Sequence, residues 1–115
     1  MDRTKESANQ LVELLVTIDQ FVDDFQPGWV RGLFNDIDGK QWSIIEKVPV
    51  VTKEDLDKHS SYPVQGFIAC QMVESSIQSG REVVVIDLSR PYSICAEDGT
   101  EVFQVFREQL IETYQ

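Results

Sequence analysis

Four groups of residues have the types that chemistry requires. Asp36 and Asp38 beside Gly39 suggest a calcium loop. Such a loop needs oxygen ligands at its first, third and fifth positions, glycine at the sixth and glutamate at the twelfth. Counted from Asp36, those last three positions hold Lys40, Gln41 and Lys47, so the motif fails. Asp38-Gly39 reads instead as a hairpin turn, because both residues tolerate positive φ. Glu46 falls in the middle of an apolar alternation of Trp42, Ile44, Val48 and Val50. A carboxylate on such a face is desolvated unless it is paired. Glu46 is therefore the one catalytic candidate, as a general base. Arg31 on the preceding strand is its expected cross-strand partner, and a bulge near Pro49 would instead turn Glu46 to solvent. His59 lies in a polar loop with Ser60 and Ser61, with nothing to hold it as the base of a triad. One histidine and two well-separated cysteines, Cys70 and Cys95, do not make a zinc site. The chain carries no phosphate-cradling glycine loop, and no metal or cofactor is expected.

Charge says more than any motif. Twenty Asp and Glu face ten Lys and Arg, a net charge of −10. Phosphate backbones and anionic membranes require a Lys/Arg surface, so neither nucleic acid nor membrane is an expected partner. A cationic protein is, and the acidic field would speed its approach. The polar start of the chain lacks the apolar core of a signal peptide, and no apolar run is long enough to span a bilayer. A cytoplasmic location follows, in which Cys70 and Cys95 stay reduced; both sit in apolar stretches and are expected to be buried.

The elements that must position these residues start with an expected helix over residues 7–26. Leu11, Leu14, Leu15, Ile18, Phe21, Val22 and Phe25 recur at spacings of three and four. Ser7 and Gln10 resemble a capping box, and Pro27-Gly28 ends the run. Asp19, Asp23 and Asp24 fall in its second half, where the helix dipole disfavours acids; an acidic partner-facing patch would account for them. Trp29–Asn35 and 41–51 read as a hairpin, with residues 53–58 as one helical turn in the polar connection that follows. Residues 64–74 and 82–88 read as strands, the second fully buried because Val83, Val84, Val85 and Ile86 are continuous. Residues 92–96 and 101–106 flank a second turn at Asp98-Gly99, and 107–114 as a short C-terminal helix. The expected class is α+β in one domain, residues 1–115. It comprises a strongly bent antiparallel sheet or small β-barrel of about five strands, spanning 29–106, with a helix at each end.

A longer pattern joins these elements. Glu46-Lys47-Val48-Pro49-Val50-Val51, Ser61-Tyr62-Pro63, Gly66, Cys70, Asp98-Gly99, Phe103, Val105 and Leu110 together resemble a pattern of small uncharacterised bacterial proteins. The resemblance covers residues 30–110 and implies a bacterial cytosolic origin; it brings no activity and no site residues. Toxin-neutralising immunity proteins are a class analogy of similar size and charge. The expected function is a non-enzymatic acidic protein-binding module, of immunity or inhibitor type, acting on a basic partner. Its contacts are Asp19, Asp23 and Asp24, with Trp29 and Tyr62 as aromatic anchors. The alternative is a small enzyme or ligand-binding barrel built on Glu46. A homodimer through an exposed strand edge is a third arrangement.

Overall fold

A computed structural model describes residues 10–112. Its strands are β1 (Gln10–Asp23), β2 (Trp29–Asn35), β3 (Gln41–Lys47), β4 (Val64–Gln78), β5 (Arg81–Asp87), β6 (Val102–Phe106) and β7 (Leu110–Glu112). The helical elements are α1, a single turn at Val48–Val51, and a 3-10 turn at Arg107–Gln109. The described residues are mostly β, with 56% in strands against 7% helical, so the α+β class is corrected to a curled antiparallel half-barrel.

The largest correction is at β1. Residues 10–23 of the expected N-terminal helix form a strand, and Ser7 with the rest of 1–9 lies outside the described residues. The stretch carries two periods at once. Read every second residue, it gives Val12, Leu14, Val16 and Ile18, which are the buried ones, at most 3% exposed. Leu11, which the helical stripe would bury, is 44% exposed. The β-branched residues Val12, Val16, Thr17, Ile18 and Val22 favour the strand. The expected C-terminal helix over 107–114 is corrected too. It is a 3-10 turn followed by β7, and only Leu110 of its apolar set is buried; Tyr114 lies outside the described residues.

The β2–β3 hairpin turns at Asp38-Gly39 as the sequence predicts, with Asn35 opposite Gln41. Its second strand stops at Lys47 rather than Val51, because Pro49 starts α1. Proline fits the first turn of a helix, where its missing N–H would have had no partner. The helical turn expected at 53–58 is absent. Strand β4 runs past the expected loop to Gln78 and returns through Ser79-Gly80, both at positive φ, a tight hairpin turn. Residues 92–96 are not a strand, although Ile94 and Ala96 are buried.

Strand order is β3-β2-β1-β4-β5-β6, all neighbours antiparallel. Long strands shared between successive partners roll the sheet. The whole of Gln10–Ile18 pairs with β4, whereas Thr17–Asp23 pairs with β2 through two register shifts. On the edge of β1 that β2 uses, β7 is paired over Val12–Leu14. The 3-10 turn carries the chain there from β6. Gln109 fixes that crossing, accepting from Phe106 N at 2.8 Å and donating to Asn35 O at 2.8 Å.

The core lies inside the curl, from Val12, Leu14, Val16 and Ile18 across Ile68, Cys70, Val84, Ile86 and Val105. Phe34 and Trp42 each meet Phe103 edge-on, at 5.1 and 4.8 Å between ring centroids. Gly66 is where α1 seats on the sheet. A Cβ there would stand 2.7 Å from Val51 O and 2.6 Å from Ile18 Cδ1.

Candidate functional site

The β1–β2 connection gathers the most distinctive surface. Asp23 sits opposite Trp29, and Trp29 sits opposite Lys47 on β3. The intervening turn is tied at several points. Asp23 Oδ1 accepts from Phe25 N at 2.8 Å, and Phe25 O accepts from Gly28 N at 2.8 Å. Gly28 O in turn accepts from Val48 N at 2.9 Å, linking the turn to α1. Phe25 is thus held at both its backbone groups while its side chain is 74% exposed. Asp24 beside it is exposed as well. Lys47 Nζ lies 4.9 Å from the Trp29 ring centroid, covering part of that indole.

Of the residues named from sequence, Asp23, Asp24 and Trp29 come together here. Asp19 does not join them as a free acid. Arg31 donates to it through Nε at 2.9 Å and Nη2 at 2.5 Å, which makes Asp19 the actual partner of Arg31 and corrects the expected Arg31–Glu46 pair. The Arg31 hydrogen bond holds the Asp19 carboxyl below its ordinary value, against the opposing effect of burial. Tyr62 is half-buried against the core and donates to Asp57 O at 2.7 Å. Burial pushes its phenol upward, and the charge of Asp57 adds to that.

Glu46 has its side chain 18% exposed, with Lys47 Nζ 4.0 Å from Oε1. It lines neither of two grooves formed by the described residues. The first groove, about 600 Å³, runs between the β2–β3 hairpin and the 3-10 turn over Leu15 and Leu33. Its one arginine, Arg81, is held by Glu108 and stacks over Phe106.

Asp36 is a structural acid. Oδ1 accepts from Asp38 N and Lys40 N, at 2.8 and 3.0 Å, and Oδ2 accepts from Trp42 Nε1 at 2.9 Å. Burial would raise this carboxyl, but the donors and the Lys40 charge outweigh it and hold it low. Its oxygens are occupied by the turn they stabilise. His59 is exposed, its N–H bonded to Asp57 Oδ1. Cys95 is exposed, contrary to the expectation from its apolar neighbours, while Cys70 is buried. Among the described residues no group of three or more His, Cys, Asp or Glu is placed to hold a metal ion. Among the described residues no helix is long and apolar enough to cross a membrane.

Sequence reasoning missed Phe25, which the helical stripe assigned to the core. The signal was present in Asp23-Asp24-Phe25-Gln26-Pro27-Gly28, an aromatic bracketed by turn-forming residues. The chain has no match among protein-family models, curated proteins or solved structures.

Proposed function

We propose that this chain is a non-enzymatic, cytoplasmic binding module that docks a basic protein partner, as an immunity or inhibitor-type protein does. One observation carries the reading: Phe25, 74% exposed, stands on a turn hydrogen-bonded on both sides of it and flanked by Asp23 and Asp24. A rigid aromatic loses little entropy on burial, which is why such residues anchor interfaces. Acids around it desolvate least against a cationic rim, and a net charge of −10 steers such a partner inward. Trp29 extends the anchor. The alternative of a barrel enzyme using Glu46 has less behind it, because that carboxylate opens onto neither groove. A strand-edge homodimer also has less behind it. The outer strands are partly occupied, with Glu97 N donating to Ser43 O and Ile37 N to Gln104 O.

The test is kinetic. A partner captured at low salt should bind more slowly to Asp23→Lys with Asp24→Lys, and should dissociate faster from Phe25→Ala. The fold should survive, since exposed charges contribute little to stability. A partner bound equally well by all three proteins, and equally at high salt, would overturn the reading. So would recovery of no partner.

A further inference from the structure

The outer face of the sheet holds a carboxylate that the described residues leave uncompensated. Glu13 on β1 lies opposite Ala69 on β4 and opposite Ile111 on β7. These residues, with Phe67, Val50 and Tyr92, line a groove of about 660 Å³. Glu13 is half-buried there, and among the described residues its carboxylate has no ion pair or hydrogen bond. The other half-buried acids each have a side-chain partner: Arg31 for Asp19, Trp42 for Asp36, Lys47 for Glu46, Ser89 for Asp87 and Arg107 for Glu112. Lys53 and Glu54 on the groove wall are adjacent, exposed and opposite in sign. They leave Glu13 as the unbalanced charge.

Two unfavourable features coincide in this groove. A carboxylate is partly desolvated without a partner, and apolar surface is left in water, with Ile111 42% and Tyr92 63% exposed. A ligand that sets a cation on Glu13 and apolar groups on Phe67, Ala69 and Ile111 relieves both. We propose that this groove binds a short segment of a protein partner that carries a lysine or arginine between apolar residues. The inference goes beyond the basic-partner reading, because it names a second surface with its own recognition chemistry. A second copy of the chain fits poorly. Around a two-fold axis through the groove Glu13 would meet its own copy, and each copy brings a charge of −10.

The experiment uses fluorescence anisotropy with a labelled peptide of alternating leucine and lysine. A matched peptide carries glutamine in place of lysine. The wild-type chain should bind the lysine peptide, and Glu13→Gln should weaken it about ten-fold, as expected for one charge-assisted contact. Ala69→Phe, which fills the groove and keeps the charge, should abolish binding. Asp23→Lys with Asp24→Lys should leave this affinity within about two-fold, because those residues belong to the other surface. The thermal melt of Glu13→Gln should hold or rise, since the change removes an unpaired, partly desolvated charge and no bond. Equal binding of the two peptides, equal binding by Glu13→Gln, or no binding at all would overturn the groove proposal. Loss of peptide binding only in the Asp23/Asp24 double variant would overturn it too, while leaving the proposed function standing. A dimer in sedimentation that Glu13→Gln strengthens would overturn it in favour of a second copy.

Discussion

Substitutions along β1 separate the two periods that this stretch contains. A helix would bury Leu11 and Leu14 alike and leave Val12 off its stripe. In the strand, Val12 and Leu14 are 0% exposed and Leu11 is 44% exposed. Leu14→Ala removes three carbons from a closed site. At about 0.8 kcal/mol per buried methylene the transfer loss is about 2.4 kcal/mol. The cavity left behind brings the total to about 3–5 kcal/mol, since its cross-strand partner Ile68 lies in a sheet that cannot collapse freely. Val12→Ala removes two carbons, about 1.6 kcal/mol before its smaller cavity is counted. Leu11→Ala should stay below about 1 kcal/mol. The assay is urea unfolding followed by the fluorescence of Trp29 and Trp42. With a slope of about 1–3 kcal/mol/M, the Leu14 variant should lose more than about 1 M in midpoint at unchanged slope. Equal losses for Leu11→Ala and Leu14→Ala, with Val12→Ala neutral, would refute the strand register and the face assignments that rest on it.

Other tests address single features. Gly66→Ala should destabilise by about 1–3 kcal/mol or more, because the new methyl meets the Val51 carbonyl at 2.7 Å and not only a side chain; a neutral melt would mean that α1 seats elsewhere. Cys95 should react with a disulfide reagent in the native protein, whereas Cys70, buried and with its thiol pushed up to about 12, should react only on unfolding; two native reactive thiols would contradict that burial. Asp19, held low mainly by the Arg31 hydrogen bond, and Asp36, held low by its donors against burial, both lie below the ordinary 3.8. A depressed carboxylate stabilises the fold above its unfolded value, so stability should begin to fall near about pH 4 and continue falling as the folded values are crossed. Asp19→Asn should flatten part of that acid slope in pH-dependent melts, and an unchanged slope would remove Asp19 from the account.

Legibility varied with how many physical signals agreed. At the β2–β3 hairpin, alternation, β-branched content and Asp38-Gly39 all pointed one way, and the observed strand Trp29–Asn35 has the predicted bounds. Val83–Ile86 lie in β5, between β4 and β6, with Val83, Val84 and Ile86 buried; Val85 is only half-buried, so the strand is not closed on both faces as expected. In β1 the signals conflicted. Seven apolar residues fitted a helical stripe, and Val12-Leu14-Val16-Ile18 fitted a strand equally well. Strand residues are decided by partners far away in sequence, which local period cannot reveal. The error carried into the site. With a helix in place, Phe25 was core and Asp19 a free acid. Only the β1–β2 register shows that Arg31 reaches Asp19 and that Asp23 stands beside Trp29. Glu13 was invisible for the same reason, since a groove between β1, β4 and β7 has no signature in any one segment.

Strand β1 is also where the chain meets itself at the greatest separation. Its Val12–Leu14 segment pairs with Leu110–Glu112, so nearly the whole described sequence must be made before that edge of β1 is covered. Until then the edge is open beside Val12, Leu14 and Val16, an apolar β-branched run of the kind that pairs with other chains. Closing so long a loop delays folding, because its entropy is lost before the contact is gained. During synthesis the first strand therefore waits for the last, and the nascent protein passes through a stage when it is most prone to aggregate. Its abundant acidic charge repels other copies through that stage.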